Sequence, residues 1–169
     1  MREIGIVRRV DELGRIVIPK SIRSKFKIRQ GDVFEIFVDE NRIVLQKEEI
    51  LENLNDSLNK LLDIISVVMN IEIVVTDTGK CIYTSSDLSE YLNRELSSDI
   101  VDMIFKRKEV EVVDYLFYNQ KCNLLMQPII LRGDIIGSVI FLIKKGNISD
   151  YHKLICTFVN EMFINTLDV

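Results

Sequence analysis

The sequence predicts an α+β protein with an N-terminal interleaved dimeric β-barrel over residues 1–47, a linker helix over 48–70, and an antiparallel sheet with flanking helices over 71–169. Three observations predict it. β-branched runs parted by turn residues fill the first 47 positions, yet that is too little chain to bury both faces of its own sheet. From Glu48 the apolar spacing changes from two residues to 3.5. After residue 70 it returns to short apolar runs separated by turn residues, and one long helical stripe ends the chain.

Charge divides at the same boundary. The chain carries −4 overall, but residues 1–47 hold eleven Lys or Arg against seven Asp or Glu, a net of +4, and residues 48–169 hold eleven against nineteen, a net of −8. The first 29 residues reach +6. Such asymmetry marks an electrostatic footprint for a polyanion at one end; a merely solvated basic face is the plain alternative. A hydrophobic content of 47% excludes a disordered chain. No apolar run approaches the roughly 20 residues that span a bilayer, and MREIGIVRRV has neither the apolar core nor the cleavage site of a secretory leader. These features imply a cytoplasmic protein with no membrane partner. Cys81, Cys122 and Cys156 are widely spaced and contain no CxxC pair, so they read as buried reduced thiols, not as a disulfide or metal site.

In the first module, Ile4 to Val10 and Arg15 to Ile18 read as strands joined by Asp11-Glu12-Leu13-Gly14, where Gly14 can supply a positive φ. Pro19 suits the first position of a short helix. In that helix Ile22 and Phe26 face inward, while Arg23 and Lys27 share another face. Gln30-Gly31-Asp32 turns the chain, and Val33–Val38 and Ile43–Leu45 form a hairpin around Asp39–Arg42. Two copies that interleave these hairpins close one barrel and hide the strand edges.

The stretch GIVRRVDELGRIVIPKSIRSKFKIRQGDVFEIFVDENRIVLQK closely resembles the swapped-hairpin domain of the AbrB family of transition-state regulators. The resemblance rests on Gly5-Ile6-Val7-Arg8, on Asp11-x-Leu13-Gly14-Arg15-Ile16-Val17-Ile18-Pro19, on Ile22-Arg23 and on Gly31-Asp32. It implies a dimer that binds double-stranded DNA through Arg8, Arg15 and Arg23, with Arg9 where the family has a basic residue. The family often has arginine directly after Arg23, where this chain has Ser24. Lys25 is the nearest cation, but a point charge does not reproduce a bidentate fork. Four arginines doubled by a two-fold axis place eight cations on one surface, able to hold phosphates or guanine edges. No aromatic side chain interleaves them, which favours duplex DNA over single strands or RNA.

Leu51, Leu54, Leu58, Leu61, Ile65 and Val68 follow spacings of three and four, the pattern of a coiled-coil seam about three heptads long. Leu62 and Ile64 widen the stripe, and a core-packing amphipathic helix would show the same pattern.

Beyond the linker, Ile71–Thr76 and Cys81–Thr84 read as a hairpin around Asp77–Lys80, followed by a short helix near Asp87–Leu92 and a second over Ser98–Lys106. Glu109–Val113, Tyr115–Tyr118, Cys122–Leu131 and Ile135–Ile143 complete five or six strands, with helices expected on one side. Tyr151, Leu154, Ile155, Phe158, Val159, Met162 and Phe163 are expected on one face of the last helix. The phrase Leu125-Met126-Gln127-Pro128-Ile129-Ile130, the Gly133-Asp134 turn and Ile136-Gly137-Ser138-Val139-Ile140 resemble the central hairpin of GAF sensor domains. Joined to the N-terminal match, the whole chain resembles the stage V sporulation protein T family. That resemblance implies regulation of late sporulation genes by dimers that associate into tetramers through the linker and GAF-region helices, with a GAF-like domain for oligomerisation and signal sensing.

Catalytic and metal sites are not expected, nor is a cofactor. His152 is the sole histidine and starts a helix; Asp99 and Asp102 complement a helix dipole; Gly5, Gly14, Gly31 and Gly79 form no phosphate-cradling loop. Tyr83, Tyr91, Tyr115, Phe117 and Met126 are candidates to line a pocket for an unidentified small-molecule ligand, and the same residue types serve equally as core. An antitoxin built on the same barrel is the alternative function, although its tail is normally short and disordered. A GAF-containing enzyme would need a further catalytic domain.

Overall fold

The computed structural model describes residues 5–26, 28, 32–47, 51 and 56–167, which fall into two compact units, residues 1–30 and 31–169. Expectations for Ile4, Lys27, Gly31, Leu54 and the start of the linker at Glu48 lie outside the described residues.

In the first unit, α1 (Lys20–Lys25) starts after Pro19, which occupies the N-cap with φ −60° and ψ 148° instead of the first helical position. The runs expected as strands, 5–10 and 15–18, form no ladder within one chain. A strand exists only where a neighbour takes its hydrogen bonds, and among the described residues no neighbour ladders with these runs. The apolar side chains are exposed accordingly: Val7 is 85% exposed and Phe26, expected to face inward, 62%. Ile22 is half-buried.

The second unit opens with the hairpin β1 (Phe34–Asp39) and β2 (Arg42–Lys47), in register from Phe34 opposite Lys47 to Asp39 opposite Arg42. Its base is tied by Asp32, whose carboxylate pairs with Lys47 at 3.0 Å and accepts from Thr78 Oγ1 at 3.4 Å. Next come α2 (Asp56–Met69), β3 (Glu72–Thr76), β4 (Cys81–Thr84), a 3-10 turn (Ser86–Tyr91), α3 (Ser98–Phe105), β5 (Val110–Phe117), β6 (Gln120–Leu131), β7 (Asp134–Ile143) and α4 (Asp150–Leu167). The five-stranded sheet runs β4-β3-β7-β6-β5, antiparallel throughout. The stretch expected as Glu109–Val113 and Tyr115–Tyr118 is one bulged strand, with Asp114 at φ 56° as the irregular residue.

Helices cover both faces of the sheet, not one. Leu62 of α2 and Cys156, Val159 and Phe163 of α4 pack on Ile73, Val75, Leu125, Val139 and Phe141. Leu88 and Tyr91 of the 3-10 turn and Ile100, Met103 and Ile104 of α3 pack on Val74, Leu124, Met126, Ile140 and Leu142. The sequence signal for this lay in β7, whose apolar run is continuous because both of its faces are buried. The expected single face on α4 is split for a related reason. Val159 and Phe163 are buried on the sheet, while Tyr151, Leu154 and Phe158 point to solvent. The expected seam divides likewise: Leu51 and Leu58 are buried in the unit's own core, while Val68 is 75% exposed.

One position admits no side chain. A Cβ on Gly137 would lie 1.9 Å from the Thr76 carbonyl oxygen and 2.7 Å from Leu51 Cδ1. Backbone cannot yield as a flexible side chain can, so Gly137→Ala is expected to cost about 2 kcal/mol or more. A urea melt should show that loss as a lower midpoint.

Candidate nucleic-acid interface

Each cation expected at the DNA is exposed: Arg8, Arg9 and Arg15 around the first turn, Arg23 and Lys25 on α1. The turn is built by its own sequence. Gly14 N–H donates to the Asp11 carbonyl at 3.0 Å, with Gly14 at φ 77°, and Asp11 N–H donates to the Arg15 carbonyl at 3.0 Å. The Asp11 carboxylate takes three more hydrogen bonds. Leu13 N–H and Arg15 N–H donate to Oδ1 at 3.0 and 2.8 Å, and Arg15 Nε donates to Oδ2 at 2.7 Å. The backbone N–H of Arg15, then its guanidinium, hold the Asp11 carboxyl below its ordinary value. Arg8 Nη1 turns back on the Val7 carbonyl at 3.0 Å. Arg23 and Lys25 occupy the last turn of α1, and Lys25 Nζ lies 5.8 Å from the Phe26 ring centroid.

The five pocket candidates are not gathered in one place. Tyr83 packs on the sheet face covered by α2 and α4, where its hydroxyl donates to Asp63 Oδ1 at 2.7 Å. Tyr91, Phe117 and Met126 are buried on the opposite face. Tyr91 is stacked on Tyr118 with centroids 4.4 Å apart. Tyr115 and Phe117 alone of the five line a cavity of about 270 Å³, together with Leu96, Ser97, Asp99 and Tyr118. In it the Tyr115 hydroxyl donates to Asp99 Oδ2 at 2.5 Å. Burial pushes the Asp99 carboxyl up, but hydrogen bonds from Ser97, Tyr115 and the first backbone N–H groups of α3 outweigh it and hold the group below its usual range. Tyr118 and Ser97 are among the members that sequence reasoning missed; they lie far apart in the sequence, and no local pattern signals that they converge.

His152 caps its own helix, its Nδ1 accepting from Ser149 N–H at 3.0 Å. The three cysteines are free and buried; burial pushes Cys81 up to about 11 and raises Cys122 and Cys156. Among the described residues no helix is long and apolar enough to cross a membrane.

Residues 53–159 match the family described as stage V sporulation protein T C-terminal, transcription factor. Over 168 residues the chain is 32% identical to stage V sporulation protein T of Bacillus subtilis (strain 168), covering 93% of this chain and 94% of that protein. The chain belongs to the stage V sporulation protein T family. At the N-terminus, residues 7–50 of this family member match the antidote-toxin recognition family of the bacterial antitoxin MazE. A segment of 47 residues is 51% identical to the transition state regulatory protein AbrB of the same bacterium, covering 28% of this chain and 49% of that protein. Among solved structures, the fold resembles the GAF domain of an Acinetobacter phosphoenolpyruvate-protein phosphotransferase, with TM-score 0.54 and 13% identity over 69% of this chain and 85% of that one. It also resembles the cofactor-binding GAF domain of the nutrient sensor CodY from Clostridium difficile, with TM-score 0.51 and 13% identity over 65% of this chain and 83% of that one. The C-terminal fold of this stage V sporulation protein T family member is therefore GAF-like.

Tyr83 has a structural task, joining β4 to α2. Tyr83→Phe is expected to lower stability by about 1 kcal/mol, the contribution of one such hydrogen bond, as read from chemical denaturation.

Proposed function

We propose that this family member, a DNA-binding transcription regulator of sporulation genes, grips duplex DNA with the N-terminal arginines of an interleaved dimer. The observation that carries the reading is the exposed apolar surface of the first 47 residues. Val7, Val17, Val38 and Ile43 are each at least 72% exposed in one chain, and burying such side chains drives association. A second copy supplies the missing strand neighbours and doubles Arg8, Arg9, Arg15, Arg23 and Lys25. The +6 of the first 29 residues supports a polyanionic partner. The match of residues 7–50 to an antitoxin family favours a second reading, capture of a toxin by the same barrel; the match of residues 53–159 to a transcription factor supports the first.

The GAF-like half joins two such dimers. Leu61, Ile64 and Val68 of α2 and Tyr151, Ile155 and Phe158 of α4 line an open apolar groove of about 210 Å³. A second copy of the same groove is the occupant with matching chemistry, giving a tetramer with two DNA-binding ends and a raised effective concentration at the second. The cavity under Tyr115 is the candidate seat of a small-molecule signal.

Changing Arg8, Arg15 or Arg23 to Ala removes two cations per dimer. If both meet phosphate, the slope of log affinity against log salt should flatten by about 1.8. Gel shifts across a salt series measure it, and an unchanged slope from a folded variant removes that residue from the interface. Val68→Asp with Phe158→Asp, both exposed in one chain, should reduce the assembly to a dimer. Light scattering that returns the parent mass would reject the groove as a tetramer contact.

A further inference from the structure

Arg15 is not a free cation. Its Nε is held at 2.7 Å by Asp11 Oδ2, while Oδ1 of the same carboxylate closes the turn on the N–H groups of Leu13 and Arg15. Both side chains remain open to solvent, Arg15 70% and Asp11 41% exposed. A guanidinium has five N–H donors, and Nε supplies one of them. The outer donors on Nη1 and Nη2, the end-on fork that fits a guanine edge or two phosphate oxygens, lie on a different edge of the guanidinium from Nε–H.

We infer that Asp11 is a specificity-determining positioning residue that orients the Arg15 fork toward a base edge. The inference rests on the reading that Arg15 touches DNA. Two effects of opposite sign follow from one carboxylate. Holding a long, mobile side chain in one orientation before binding removes part of the entropy lost on contact and excludes orientations suited only to phosphate. Its negative charge, four residues from Arg15, repels the phosphate backbone and so weakens sequence-independent binding. Asp11 thus raises the ratio of specific to non-specific affinity from both sides. A residue that merely supports the fold would change both affinities together.

The test uses the full chain and two probes, the short duplex that the parent protein enriches most from a random-sequence pool and a random-sequence duplex of equal length. Asp11→Asn keeps the shape and an acceptor for the two backbone N–H groups, and removes the charge. The expected result is weaker binding to the selected duplex, equal or tighter binding to the random one, and a specificity ratio lower by about tenfold, within the range that a single bidentate base contact contributes. In the Arg15→Ala background, Asp11→Asn should no longer weaken binding to the selected duplex, because only the repulsion of phosphate is left to remove. If Arg15→Ala itself leaves both affinities intact, the assignment of Arg15 to the DNA fails first. If Arg15→Ala weakens binding but Asp11→Asn lowers both affinities in parallel, or lowers them equally without Arg15, Asp11 is a support of the turn and the inference is overturned. Circular dichroism and sedimentation confirm fold and assembly of each variant, and a misfolded Asp11→Asn with intact Asp11→Ser moves the same comparison to the serine variant.

Discussion

Residues 135–143 of β7 are buried on both faces, so the C-terminal unit must bring separate cover to each side of one sheet. On one side Val139, Phe141 and Ile143 meet α2 and α4; on the other Ile140 and Leu142 meet the 3-10 turn and α3. A buried Ile or Phe is worth about 1.5–3 kcal/mol, so a handful of side chains on one face rivals the roughly 5–15 kcal/mol by which a domain is stable. Neither layer of helices is dispensable. The same demand explains Gly137, where β7 comes so close to the Thr76 carbonyl that no Cβ fits, and the Thr76–Ser138 hydroxyl pair at 2.8 Å that satisfies the polar groups buried beside it.

The N-terminal residues pose the opposite problem. They too are rich in apolar side chains, yet within one chain Val7, Leu13, Val17 and Phe26 stand in solvent. Nothing in the six-residue α1 can cover them, because none of its residues is itself buried. A surface of this kind is completed by association or it aggregates. The interleaving proposed above would resolve it without new sequence, since the same segments that lack neighbours would supply them to the partner, and the arginines would gain twofold symmetry from that contact.

Sequence reasoning located nearly every element of the C-terminal unit because local signals there agree with the tertiary structure. The turns at Asp77–Lys80 and Arg132–Asp134 and the long apolar runs of β6 and β7 each carry their own local signal. It misplaced what depends on non-local contact. A stripe spaced three and four apart reads the same whether Leu58 meets a partner helix or its own sheet, and only the fold shows that Leu58 is buried at home while Val68 is not. Tyr83 and Tyr91 look alike in sequence but point to opposite faces, since one lies on a strand and the other on the 3-10 turn. The cationic residues were legible from charge and motif. The hold of Asp11 on Arg15 was not sought, because an acid four residues before an arginine outside a helix has no periodic signature.

The charge division of the chain acts together with this geometry. Residues 48–169 carry −8 and residues 1–47 carry +4, so the former segment repels a polyanion and the latter attracts it. Screening over about 8 Å at physiological salt confines both effects to the surface actually approached. Within the second unit Asp32 bonds at once to Lys47 at the end of β2 and to Thr78 in the β3–β4 turn. With a side chain only 5% exposed, it cannot exchange these partners for water without loss. A change in the sheet that moved the β3–β4 turn would pull directly on the hairpin base.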